Sequence, residues 1–411
     1  MLKRISTKDV RQGMFIQKFC GSWIDHPFWR NKFVITDPAD LELVRRCNVA
    51  EVWIDISKGC DIGEGETALQ EAASAEEVDA LPAEDDVAPD RLAPTPTIRE
   101  LQRAAQICNS ARQAVTSMFA DVRMGRAINQ EVARQVVEDI ADSVTRNSGA
   151  LISLARLKTA DDYTYMHSVA VCALMVALSR QLGMSDDDVR AAGFAGLLHD
   201  LGKADVPLDI LNKPGKLTDD EFSQVKLHPV HGVKRLLEAG VDDAVAIDVC
   251  LHHHEKLDGT GYPKRLAGDD ISVMARMGAI CDIYDAITSN RPYKAGWDPA
   301  ESLARMAKWV HTHLDARLFQ AFVKSVGIYP TGSLVMLNTG RLAVVVEQSK
   351  ASLLKPVVKT VYSTVSNERV VPQLIDLSAA GCRHSIERRE DPAKWNIPDL
   401  DALWAGTELV G

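Results

Sequence analysis

The chain has 411 residues, 46% of them hydrophobic and 25% charged, with a formal net charge of −10. That length accommodates two or three domains around a sizeable core. Its composition is that of an ordinary globular protein. A membrane-spanning helix is excluded, because the most apolar run, Val169 to Leu178, is ten residues long against the roughly 20 needed to cross a bilayer. The N-terminus MLKRISTKDV has no apolar stretch ahead of a small-residue cleavage site, so no signal peptide is expected. Eight scattered cysteines without a CxxC pair predict a reduced, cytoplasmic chain with mostly buried thiols. The acidity is local. Residues 61–90 hold eleven Asp or Glu and no Lys or Arg, so the remainder is close to neutral. No basic stripe with interleaved aromatics points to a nucleic-acid polymer.

In chain order, residues 1–58 combine short strands (Met14–Lys18, Lys32–Ile35, Glu51–Ile56) with a helix opened by Asp37–Pro38–Ala39–Asp40, a small α+β domain. Residues 59–96 are rich in Ala, Glu, Asp, Pro and Gly, cannot bury enough apolar surface to order themselves, and read as a disordered acidic linker. From Thr97 the pattern is helical. A connector over 97–139 holds a helix to about Phe119 and a second opened by Asn129–Gln130–Glu131, with Val132, Val136, Val137 and Ile140 on one face. The helix at 97–119 is a candidate for pairing with a second copy. Further apolar-periodic segments near 161–182, 186–200, 219–238, 242–254, 270–288 and 298–314 make 140–328 a helical bundle. After residue 330 the β-branched runs SLVML, RLAVVVEQ, PVVKTVYST and VPQLIDL predict a β-rich subdomain over 329–411, with a turn at Asn338–Thr339–Gly340. The expected fold is multidomain and mainly α, with a small α+β N-terminal domain and a small β-rich C-terminal subdomain.

Chemistry concentrates in the bundle. Seven of eleven histidines fall between His167 and His254, where an even spread would put about two. His199–Asp200 follows an apolar helix, and His253–His254 forms a second adjacent pair before a Gly-rich loop. Asp282 and Asp285 share one face of a later helix, as do His228 and His231. A carboxylate can bridge two cations while an imidazole binds one. With His167, the set is sufficient for two ions, and its N/O composition suits Fe, Mn or Zn. Two cations about 4 Å apart would generate a bridging hydroxide at neutral pH and stabilise charge on an attacked phosphorus. Lys203, Arg291 and Lys294 are candidate cations for phosphate oxygens. Bland readings fit other residues better. His252 is expected to be structural, because three successive histidines cannot face one way on a helix. His231 is expected to pack or to support the ligands, and the stripe Val169, Cys172, Ala173 and Val176 to be core.

The order His199–Asp200–Leu201–Gly202–Lys203, His253–His254–Glu255 and Asp258–Gly259–Thr260–Gly261–Tyr262–Pro263 resembles the HD-GYP branch of the HD-domain phosphohydrolases. Tyr163–Ser168, Asp282–Ala286 and Arg291–Lys294 match it as well, and the likeness covers about half the chain, roughly 140–328. Residues 1–58, with Gly21–Ser22–Trp23 and Pro27–Phe28–Trp29, resemble the small domain often found ahead of such modules.

The resemblance implies His167, His199, Asp200 and Asp282 as ligands of one metal and His228, His253 and His254 as ligands of a second, with Asp200 bridging. It implies Asp200 and Lys203 as catalytic groups, with Lys203, Tyr262, Arg291 and Lys294 contacting substrate. On their own position, Glu255 and Asp285 are candidate acceptors for hydrogen bonds from ligand histidines, an exposed or capping role being the alternative. The implied cofactors are two divalent ions, iron or manganese. The implied activity is hydrolysis of cyclic di-GMP to pGpG, and in many members onward to GMP. A diguanylate cyclase (GGDEF) partner at the GYP loop is the implied protein contact. Tyr163 stands where some members carry a glutamate for a third ion, and Asp162 is out of phase, so two ions are expected. Two alternatives keep the motifs: a hydrolase of another cyclic dinucleotide, or a non-turnover sensor of cyclic di-GMP.

Overall fold

The computed structural model describes residues 2–19, 33–36, 38–46, 49, 51–60, 66–67, 97–157, 163–213, 215–289, 296–349, 352–395, 397 and 399–405. Two compact units are present, each with its own core.

The N-terminal unit is an antiparallel sheet of β1 (Leu2–Ser6), β2 (Phe15–Phe19), β3 (Phe33–Val34), β4 (Glu51–Asp55) and β5 (Glu66–Thr67) in the order β3-β2-β4-β1-β5, with the helix α1 (Pro38–Arg46). Register pairs Ile5 with Val52 and Lys3 with Ile54. Val10, Met14, Ile16, Ile35, Val44 and Ile54 are fully buried in its core. β1 escaped the sequence reading because only one of its two inward positions, Lys3 and Ile5, is apolar. β5 lies within the segment expected to be linker. It pairs with β1 through Glu66 and Thr67, while 61–65 and 68–96, like Gly21–Trp23 and Pro27–Trp29, fall outside the described residues.

The second unit starts with α2 (Thr97–Arg123), α3 (Gln130–Arg146), α4 (Ser148–Arg156), α5 (Tyr163–Gln181) and α6 (Asp186–Leu198). α7 (Leu208–Leu211), α8 (Asp219–Val225), α9 (His228–Glu238), α10 (Ala244–His252), α11 (Val273–Thr288), α12 (Pro299–Met306) and α13 (Ala316–Val326) follow. α5 is the hub: Val169 to Leu178 are buried on every side, and α2, α3, α4, α6, α11 and α13 all pack on it. A helix surrounded this way has no polar face, so its apolar run is core. Leu101, Ala104, Ala111, Val115 and Phe119 of α2 are buried within the same chain, so this face of α2 packs in the bundle. α4 was not anticipated. It opens one residue after α3 ends, with Asn147 Oδ1 accepting from Gly149 N and Ala150 N. The expected helix over 219–238 is two helices broken at Lys226–Leu227, and Pro229, which lacks an N–H, stands at the start of α9. The helix expected over 298–314 ends at Met306 in a 3₁₀ turn.

The C-terminal sheet holds β6 (Leu334–Leu337), β7 (Arg341–Glu347), β8 (Val357–Ser363), β9 (Glu368–Arg369), β10 (Leu374–Asp376) and β11 (Ile386–Arg389), in the order β10-β8-β7-β6-β11 with β9 on β8. Gly340, at φ +69°, closes the β6–β7 turn. The four expected runs become β6, β7, β8 and β10. β9 and β11 are polar edge strands, which need no apolar alternation. A short helix α14 (Leu400–Ala405) ends the described chain. No helix among the described residues is long and apolar enough to cross a membrane.

Candidate metal centre

The centre is assembled mostly at helix ends, with Asp282 added from within α11. Gly196 of α6 lies so close to α5 that a Cβ there would stand 3.1 Å from the Cys172 backbone. This approach carries His199 and Asp200, the two residues after α6, to His167 on α5. His199 Nδ1 donates to the Gly196 carbonyl at 2.8 Å. His228, just past α8, donates from Nδ1 to Val225 at 2.6 Å. His253, capping α10, donates to Val249 at 2.9 Å. Carbonyls in the last turn of a helix lack intrahelical donors, so the imidazoles of His199 and His228 each satisfy one, while His253 shares the Val249 carbonyl with its own backbone N–H; each ring is oriented by its bond. A carbonyl only accepts, so Nδ1 carries the proton in all three, and Nε2 turns a lone pair inward. His167 Nδ1 lies 2.6 Å from Asp285 Oδ2, one turn along α11 from Asp282.

Asp200 sits at the focus and is fully buried. Its Oδ2 is 3.3 Å from His167 Nε2 and 3.4 Å from His199 Nε2. Its Oδ1 is 3.3 Å from His228 Nε2 and 3.8 Å from His253 Nε2. Asp282 closes the ring, with Oδ1 2.9 Å from His167 Nε2 and Oδ2 3.8 Å from His254 Nδ1. Three groups bring ligand atoms within 4.8 Å of one another: His167, His199 and Asp282; His199, Asp200 and His253; and His228, His253 and His254.

Burial works against charge on Asp200 and Asp282, yet the Lys203 ammonium and the imidazoles hold Asp200 well below the usual carboxylate range, and His167 does the same for Asp282. Burial, with the other imidazoles, pushes His253 far down. It lowers His199 too, and takes His254 down to about 3. Ionised carboxylates beside neutral imidazoles are the protonation states that metal ligation requires. His167 goes the other way, up to about 10, because Asp200, Asp282 and Asp285 outweigh its burial. Positive charge is therefore favoured between these carboxylates.

His199 Nε2 and Asp200 Oδ1 are buried without a hydrogen-bond partner. Orphaned polar atoms in a dry pocket are costly unless a cation or water meets them. The residues thus fit a divalent-metal site.

The supporting backbone is tight. A Cβ on Gly202 would stand 1.9 Å from the His228 carbonyl, and one on Gly232 would stand 2.5 Å from Cys250 Sγ. These glycines let the 3₁₀ turn Leu201–Asp205 lie against α9, and Arg235 clamps that turn through Asp205 at 2.8 Å. Lys203 on this turn donates to Asp200 Oδ2, so its contact here is with the carboxylate. Tyr262 stacks on His254 with ring centroids 4.7 Å apart.

One expectation is corrected. Glu255 holds no ligand histidine; its carboxylate accepts from Lys264 N at 2.6 Å and Leu266 N at 3.1 Å and so fastens the loop after Tyr262. His231 stands outside the convergent groups. His252 bonds Asp248 at 2.8 Å, and Asp248 also binds Ser272 at the start of α11. That clamp between α10 and α11 was missed, since nothing in sequence links residues 24 apart. Arg291, Lys294 and Asp162 lie outside the described residues.

Family models match at two places: a domain of unknown function, DUF3391, over residues 2–133, and an HD domain over 135–318. The cyclic di-GMP phosphodiesterase PA4108 of Pseudomonas aeruginosa is 52% identical over 99% of this chain and 96% of its own. A 3′3′-cGAMP-specific phosphodiesterase 3 of Vibrio cholerae is 39% identical over 41% of this chain and 36% of its own. The response regulator RpfG of Xanthomonas campestris, a cyclic di-GMP phosphodiesterase, is 36% identical over 42% of this chain and 47% of its own. On the full-length similarity to the first of these, the chain belongs to the HD-GYP family of cyclic di-GMP phosphodiesterases, HD-domain phosphohydrolases, here with a DUF3391 domain ahead of the HD domain.

Proposed function

We propose that this enzyme opens cyclic di-GMP to pGpG, and then cleaves pGpG to GMP, with two divalent ions, iron or manganese, held by His167, His199, Asp200 and Asp282 on one side and by Asp200, His228, His253 and His254 on the other. The observation that carries this reading is the buried Asp200 carboxylate, whose two oxygens face different sets of imidazole Nε2 atoms. Two ions bound there supply a strong oxygen nucleophile at neutral pH and neutralise charge on the phosphate. The substrate follows the name of the full-length relative.

In this reaction water adds its oxygen to phosphorus, the P–O3′ bond breaks, and the 3′-oxygen gains a proton. Lys203, one-fifth exposed beside Asp200, is placed to hold a non-bridging phosphate oxygen and to move that proton. Arg291 and Lys294 add cationic charge for phosphate by their sequence position. Asp285 fixes the His167 ring, and Tyr262 covers His254. Position 163 at the start of α5 is tyrosine, which favours two ions over three.

The test is turnover of cyclic di-GMP by anaerobically prepared protein with Fe²⁺ or Mn²⁺, followed as pGpG and GMP, with Asp200→Ala as control. Product in the first and none in the control supports the reading. Binding without turnover in every metal defeats it in favour of a sensor. Since several relatives over this segment are 3′3′-cGAMP-specific, 3′3′-cGAMP belongs in the same assay, and a higher kcat/KM on it would reassign the substrate.

A further inference from the structure

At the rim of the metal centre one cation sits among aromatic rings. Lys226, the residue after α8, has its ammonium 4.6 Å from the Phe222 ring centroid and 5.7 Å from that of Tyr262. Tyr262 stacks on His254, centroids 4.7 Å apart and planes 28° apart. A continuous line thus runs from a ligand imidazole through Tyr262 and Lys226 to Phe222, which is 45% exposed. Phe222 and Lys226 are an i, i+4 pair, but Tyr262 comes from the loop after α10. The arrangement therefore exceeds a local helix contact.

We propose that Phe222, Lys226 and Tyr262 form the wall that recognises a guanine base of the substrate. The proposal rests on the cyclic-dinucleotide reading and names its specificity determinant. With one phosphodiester over the ligand cluster, a neighbouring base projects across this rim. Aromatic faces accept any base by stacking. The ammonium discriminates. Guanine presents two adjacent acceptors, O6 and N7, whereas adenine presents N7 beside an amino donor. A lysine at the base edge therefore favours guanine, and Lys226 is exposed and lies outside the ligand groups.

The experiment uses the metal-loaded full chain with Lys226→Met, Lys226→Arg and Phe222→Ala. It measures kcat and KM on cyclic di-GMP, cyclic di-AMP and the base-free bis(p-nitrophenyl) phosphate, together with equilibrium binding of a fluorescent cyclic di-GMP and metal content. Lys226→Met is expected to raise KM and weaken binding for cyclic di-GMP roughly tenfold. It should lower the guanine-over-adenine preference by a similar factor, with a smaller effect on the base-free ester, and Lys226→Arg should restore most of the preference. Phe222→Ala is expected to raise KM for both dinucleotides and leave the preference in place. Unchanged KM, binding and preference in Lys226→Met and Phe222→Ala, with cyclic di-GMP still turned over, overturns this proposal alone. Failure of the unaltered protein to bind or cleave any cyclic dinucleotide overturns it together with the functional reading.

Discussion

A carboxylate removed from water must find cations or surrender its charge, and at Asp200 the Lys203 ammonium and the His167 ring supply what solvent would have supplied. That dependence runs both ways, since Asp285 accepts from Nδ1 of His167 and helps to aim its ring. Asp285→Ala should therefore lower metal affinity about 10–100-fold while leaving the helical bundle folded. Metal analysis after dialysis against graded chelator reads the change, and an unaltered retention curve would sink the positioning role. Gly202 makes a complementary case in which backbone, not charge, is limiting. Its Cβ would meet the His228 carbonyl and the Gly232 amide at 1.9 and 2.4 Å, atoms that no side-chain rotation can move. Gly202→Ala should cost on the order of 3 kcal/mol or more and displace both Lys203 and His228. A thermal melt within a degree or two of the unaltered protein would refute that.

At the scale of elements, one tie between the C-terminal sheet and the bundle is an arginine. Arg389 of β11 reaches Asp298 Oδ1 at 3.3 Å and Glu301 Oε2 at 3.0 Å, and Asp298 also caps α12 through Glu301 N. Burial raises the pKa of Asp298 above the ordinary aspartate value, with the Glu301 amide and Arg389 opposing it. Arg389→Ala removes an opposing charge. It should destabilise the protein by about 2 kcal/mol at neutral pH, and adding Asp298→Asn should recover part of the loss. The pH dependence has a definite sign. With a folded pKa above the unfolded one, the native state binds more protons between the two values, so stability is lost as pH rises through that window. The deficit of Arg389→Ala should thus shrink in acid, and denaturant titrations showing it constant from pH 4 to 7 would exclude Asp298 as the cause.

This tie also marks the limit of what the sequence could reveal. Elements whose residues are locally self-consistent were legible: α3 with its Asn129 cap, the uniformly apolar α5, and the β-branched β7. The histidine–aspartate cluster was legible because its spacing carries a family pattern. α4 was hidden by its nearness to α3, and β11 by its charge, because an edge strand is selected by its neighbour β6 rather than by alternation. The clamp Asp248–Ser272–His252 and the Glu255 anchor depend on contacts between loops and helices that no local pattern encodes.

For the whole molecule, every described residue of the metal centre belongs to the second unit, and the N-terminal sheet has its own core. The two ends of the chain should therefore respond differently to deletion. A chain beginning at residue 89 keeps α2, whose Glu100 is fully buried against Ser143 and Arg146, the latter at 2.8 Å, so it should fold, load metal and turn over cyclic di-GMP within a few-fold of the full chain. A chain ending at residue 328 loses Arg389 and exposes α12. It also loses Trp404, whose ring lies 5.9 Å from the Arg156 guanidinium at the end of α4, and Gly332, where a Cβ would meet that same guanidinium at 2.4 Å. It should be markedly less stable and lose metal, because α4 and α12 brace α5 and α11, which carry His167, Asp282 and Asp285. Parallel thermal melts and metal contents for the two truncations decide the matter. A fully metal-loaded chain of residues 1–328, or an unfolded chain of residues 89–411, would reverse the assignment of which end the centre depends on.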